Sequence, residues 1–111
     1  MADPIDLKHL DQYVCGDAGL LDEILTLFVE QATRWATCLS ADMDDEEWRH
    51  AVHTLKGASR GVGAWALGDL AESAEAMTGA RAGERAALLE ELAAQSDRAI
   101  AFAIDVRDRA A

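Results

Sequence analysis

The sequence predicts an all-α fold, an antiparallel up-and-down four-helix bundle preceded by a short N-terminal lead-in helix. Apolar residues recur at spacings of three and four along most of the chain, the period of amphipathic helices. Of the residues, 50% are hydrophobic but only 5% aromatic, and Ala and Leu outweigh Val, Ile and Thr, which favours helix over strand. The one proline stands at position 4, so none interrupts a later helix. A chain of 111 residues suits a single domain over 1–111.

The elements follow in order. Asp6 caps a helix over Leu7 to Val14, ended by Gly16-Asp17. From Ala18 to Leu39 the residues Leu20, Leu21, Ile24, Leu27, Phe28, Ala32, Trp35 and Leu39 form the stripe of the first long helix. The acidic run Asp42 to Glu47 is read as a loop entering a helix, with Asp44 or Asp45 as cap and the glutamates complementing the positive end of the helix dipole. The next helix spans Glu46 to Val62, with Trp48, Val52, Leu55, Ser59 and Val62 inward. Gly61 and Gly63 loosen the chain before a helix from Ala64 to Met77, which buries Leu67, Leu70, Ala71, Ala74 and Met77. A turn over Thr78 to Gly83 leads to a last helix, Glu84 to Arg109, carrying Leu88, Leu89, Leu92, Ala93, Ser96, Ala99, Ile100, Ala103 and Ile104. The three tryptophans, 35, 48 and 65, lie on or beside these stripes and are expected in the core.

The formal net charge of -11 argues against nucleic acid and anionic membrane as partners, both of which demand surplus Lys and Arg. No apolar stretch approaches the roughly 20 residues of a membrane span. Met1-Ala2-Asp3-Pro4 lacks the parts of a signal peptide, so the expected location is cytoplasmic. Cys15 and Cys38 are expected to be reduced, partly buried thiols rather than a disulfide or metal pair.

The chemistry concentrates in His53-Thr54-Leu55-Lys56-Gly57. With Trp48 set at zero and a turn of roughly 100 degrees per residue, Lys56 falls at roughly 80 degrees, Arg49 at 100, Arg60 at 120, His53 at 140, Gly57 at 180 and His50 at 200. His53 therefore faces solvent with three cations near its meridian. From Arg49 to Gly68 there is no Asp or Glu, in a chain with 21 of them, so a phosphoryl group there is expected to meet little local repulsion. Gly57 stands inside an exposed helix at a cost of about 0.5–1 kcal/mol relative to Ala. Close approach of another surface is a physical reason for it. Gly61-Val62-Gly63 has no preceding strand and no following Gly-Lys-Ser/Thr, which sets aside a nucleotide loop.

The run His53-Thr54-Leu55-Lys56-Gly57-Ala58-Ser59, followed by Gly63-Ala64 and Leu67, resembles the signature of histidine-containing phosphotransfer (HPt) domains of two-component phosphorelays. The resemblance implies that His53 accepts a phosphoryl group from a receiver-domain aspartate, as in a hybrid histidine kinase, and passes it to the receiver of a response regulator. It implies that Lys56 steadies the phosphoryl oxygens and that Gly57 leaves room for the receiver's loops. It further implies a phosphocarrier with no kinase activity and no cofactor of its own, Mg2+ coming from the receiver. Some relatives place a glutamine near the histidine from the following helix. Here that region holds Glu75, which would repel a phosphoryl group if it faced the site and would be neutral to it if turned away; the sequence does not decide between the two.

His50 lacks the Lys and Gly at the corresponding offsets and is expected, with Arg49 and Arg60, to flank the docking surface as part of a basic collar, with apolar contact from the helix over 18–39. A monomer is expected. Two other classes compete. Glu47-x-x-His50 has the spacing of a di-iron bundle ligand pair, but both residues fall on the outward side and no second such pair exists. A helical adaptor that binds a partner without carrying phosphate would use the same fold.

Overall fold

The computed structural model describes residues 3–110. They form α1 (Leu7–Val14), α2 (Ala18–Cys38), α3 (Asp45–Val62), α4 (Trp65–Glu75), a short 3₁₀ stretch (Gly79–Glu84) and α5 (Arg85–Ala110). Helix α2 packs on α3 and α5, and α4 packs on the same two, so the four long helices close a ring around one interior. No strand occurs among the described residues, and the predicted four-helix bundle with its lead-in helix is the observed fold.

Local chemistry accounts for the helix ends. Asp6, Asp17 and Asp44 stand in extended backbone and cap α1, α2 and α3, their carboxylates accepting from the first free amides, the usual way of satisfying those donors. Helix α3 ends at Gly63, whose φ of +84° is left-handed. A Cβ there would come within 3.1 Å of Asp6, so the α3–α4 turn can lie against the lead-in segment only with glycine. Asp6 N–H donates to the Gly63 carbonyl at 2.9 Å across this contact.

The predicted stripe of α3 is buried in full: Trp48, Val52, Leu55, Ser59 and Val62. Burial of each large apolar side chain contributes roughly 1.5–3 kcal/mol, which fixes the rotation of α3 and hence which residues it turns outward. Several other expectations need correction. Leu20 and Leu27 of α2 are exposed, and Leu25, Phe28 and Ala32 are its buried residues; the 8 residues of α1 are too few to cover that edge. Trp65 is exposed rather than in the core. As the first residue of α4 it donates its indole N–H to Asp6 at 3.1 Å and forms a T-shaped pair with the His9 ring. Ala93 is exposed, as are both cysteines. Helix α3 begins at Asp45 rather than Glu46, because Asp44 is the cap. Helix α4 stops at Glu75, although Met77 remains buried.

Arg85 was not anticipated as a core residue. It occupies the first position of α5 on the same stripe as Leu88 and Leu92, and its side chain is 2% exposed. Its guanidinium donates to the carbonyls of Met77 at 2.8 Å and Met43 at 2.7 Å and to the Asp45 carboxylate at 2.7 Å, and lies 4.6 Å from the Trp48 ring. One planar cation thus ties together the α2–α3 loop, the start of α3 and the end of α4. Arg85→Ala is expected to lower stability by about 3 kcal/mol through the stranded carbonyls and lost packing, and Arg85→Lys to restore little, as an ammonium has no fork. Urea unfolding checks this, and a loss under about 1 kcal/mol for the alanine variant would deny Arg85 that role.

Candidate functional site

The rotation of α3 that buries Trp48 and Leu55 turns His53 outward, and its side chain is 70% exposed. Gly57 lies one turn further along, exposed, and a Cβ built on it meets nothing within 4 Å. The open space beside it therefore belongs to the molecule's outer surface, where an approaching partner would feel any added side chain.

Helix α4 brings carboxylates across to this face of α3. Its residues Gly68, Glu72 and Glu75 share an edge that runs antiparallel to the Arg60, Lys56 and His53 edge of α3. Gly68 gives Arg60 passage, since a Cβ there would be 2.9 Å from Arg60 Cγ. Arg60 then reaches Glu72 at 2.8 Å and Asp69 at 3.5 Å. At the next rung Glu75 Oε1 lies 2.7 Å from Lys56 Nζ and 3.2 Å from His53 Nδ1. Glu75 is thus turned into the site. The acid-free stretch in sequence is not an acid-free surface, because the next helix brings its carboxylates across.

These contacts bear on which ring nitrogen of His53 carries the hydrogen. The Lys56 ammonium above all holds the Glu75 carboxyl below the ordinary carboxylate range; burial opposes it, and the smaller effect of His53 adds to the lowering. An ionised carboxylate only accepts, so the nitrogen facing it, Nδ1, carries the hydrogen and donates. In the neutral imidazole the lone pair then sits on Nε2, which has no partner within the chain among the described residues. A carboxylate that orients an imidazole in this way leaves the far nitrogen as the nucleophile. Lys56, with 18% of its side chain exposed, pins the carboxylate.

The collar of cations is weaker than expected, since Lys56 and Arg60 are both paired. Arg49 and His50 are exposed, and the His50 ring meets Trp35 of α2 edge-on at 6.2 Å. Arg49, His50, His53, Glu46 and Glu75 border one shallow pocket of 310 Å³. On the other side of Gly57 runs an apolar groove of 270 Å³, walled by Leu10 and Tyr13 of α1, Ile24, Leu27 and Gln31 of α2, and Ala58 of α3. Tyr13 and Leu27 are exposed there. Among the described residues no group of three or more His, Cys, Asp or Glu side chains is arranged to hold a metal ion, and Glu47 and His50 both lie on the outside.

A family model described as Hpt domain matches residues 19–106. The chain belongs to the Hpt domain family. Phosphotransfer in two-component systems, by contact with receiver domains, is the work of this family. No curated protein and no solved structure matches the chain. Helix α1 lies outside the matched segment, yet it walls the apolar groove of this Hpt domain. No helix among the described residues is long and apolar enough to cross a membrane.

The lowered Glu75 pKa has a testable sign. A carboxylate held below its unfolded value stabilises the fold above that value and loses the contribution as pH falls through the folded one. Glu75→Gln is therefore expected to be less stable than wild type at pH 7, the gap closing as pH drops below the ordinary carboxylate value of 4.5. Unfolding curves across pH check it, and a gap that widens in acid would contradict the assignment.

Proposed function

We propose that this Hpt domain, one unit over residues 1–111, is a phosphorelay intermediate that carries its phosphoryl group on His53 Nε2. The observation that carries the reading is the Glu75 carboxylate at 3.2 Å from Nδ1 of an imidazole that is 70% exposed. The lone pair of Nε2 attacks the phosphorus of a receiver's aspartyl phosphate. The Nε2–P bond forms, the P–O bond to the aspartyl oxygen breaks, and its electron pair returns to the receiver as a free carboxylate. The Nδ1 hydrogen stays in its bond to Glu75 throughout, so no proton has to leave the ring. Passing the group to the next receiver is the same step reversed.

The source is the receiver of a hybrid histidine kinase and the acceptor that of a response regulator. Gly57 gives clearance to the receiver's loops, and the groove beside it offers Ile24, Leu27 and Tyr13 as apolar contacts of the modest size that suits transient signalling. Arg49 and His50 form the exposed polar rim, and Arg60 contributes through its pairs with α4. Lys56 acts by fixing Glu75. Metal chemistry belongs to the receiver, whose Mg2+ assists the transfer; the Hpt domain acts as a cytoplasmic, monomeric carrier without kinase activity.

Incubation with a hybrid kinase and ATP, or with a phosphorylated receiver, is expected to place acid-labile, base-stable label on this chain. His53→Gln should abolish the label and His50→Gln should retain it. Uptake by the His53→Gln protein would sink the assignment, and a wild-type protein that binds receivers without label would be a passive adaptor. Gly57→Gln is expected to keep or raise the melting temperature, since glycine is a poor helix former, yet to slow transfer by obstructing docking. Unchanged transfer would remove Gly57 from the mechanism.

A further inference from the structure

We propose that Arg49 is the residue of this chain that meets the phosphoryl oxygens on His53, Lys56 acting on them only through Glu75; the inference rests on the reading of His53 as carrier. A phosphoryl group adds close to two negative charges. Glu75, already ionised, stands beside the ring that receives them, so a cation is needed on the open side. The signature lysine is poorly placed for this. Its ammonium is 2.7 Å from Glu75 and its side chain is 18% exposed, and it does not border the pocket beside His53.

The other positive groups are also committed. Arg60 is held by Glu72 and Asp69 and leans over Gly68, two turns from His53. His50 sets its ring against Trp35 on the α2 side. Arg49 is exposed, borders the same pocket as His53, and has no carboxylate within ion-pair distance among the described residues. It stands one turn before His53, a spacing that brings Cβ atoms within about 6 Å on a helix face. The planar guanidinium fork matches the geometry of phosphoryl oxygens. With Nδ1 turned toward α4, a group on Nε2 lies on the open side of the ring, where a guanidinium from the preceding turn can reach it.

The test uses a phosphorylated receiver that labels the wild-type protein, measured in single-turnover transfer at increasing receiver concentration. Arg49→Gln is expected to lower the maximal rate about tenfold, the effect of one charge-assisted hydrogen bond, with the half-saturating concentration raised no more than about twofold by loss of an exposed rim contact. Arg49→Lys should recover much of that rate, and neither exposed change should alter the melting temperature. A loss confined to half-saturation would make Arg49 a docking contact and overturn the proposal, as would an unchanged rate. Both outcomes leave the carrier reading intact. Failure of every receiver tried to label the wild-type protein would instead remove the carrier reading itself.

Discussion

The buried hydrogen bond from the Trp48 indole to the Ala74 carbonyl, 2.8 Å long, sets the register on which the site depends. Trp48 is 0% exposed, and an indole N–H left without a partner at that depth would cost about 1–3 kcal/mol. The bond therefore holds one particular alignment of α3 against α4. Ala74 precedes Glu75, so the same alignment delivers the carboxylate to Lys56 and His53. Arg85 supports it from beneath, stacked on the Trp48 ring while gripping carbonyls on both sides. A slip of one helix along the other would strand the indole and part the carboxylate from the imidazole together.

In the proposed function, this alignment builds a nucleophile with little machinery of its own. One carboxylate orients one ring, one ammonium holds the carboxylate, and a glycine leaves the approach open. The remaining surface divides into an apolar groove on the α1–α2 side of Gly57 and a polar pocket beside His53. That division suits a partner that brings both an apolar contact and the rest of the catalytic apparatus. Such economy also makes the step reversible in form, because the proton on Nδ1 is in place before and after the group moves.

The stripes were legible in the sequence because burial and helical period coincide: Trp48, Val52, Leu55, Ser59 and Val62 lie inside as their spacing requires. The outward aim of His53 follows from them. The rest depended on what one helix presents to another. The direction of Glu75 was not legible, because a wheel drawn for α3 alone carries no information about α4. The pairs Arg60–Glu72 and Lys56–Glu75 are centred near residue 66, inside the first turn of α4, so counting outward from the Gly61–Ala64 turn does not find them. Leu20 and Leu27 follow the period of α2 but sit on an edge that α1 is too short to cover. Arg85 shares the inward phase of α5, and its charge disguised it as a surface residue.

In the proposed relay step Glu75 holds the proton on Nδ1 and leaves Nε2 to take the phosphoryl group. Heteronuclear nitrogen and phosphorus NMR on the labelled phosphoprotein reads the bonded nitrogen directly. Phosphorus coupled to Nε2 of His53 is the predicted result. Coupling to Nδ1, or to a nitrogen of His9 or His50, would contradict it.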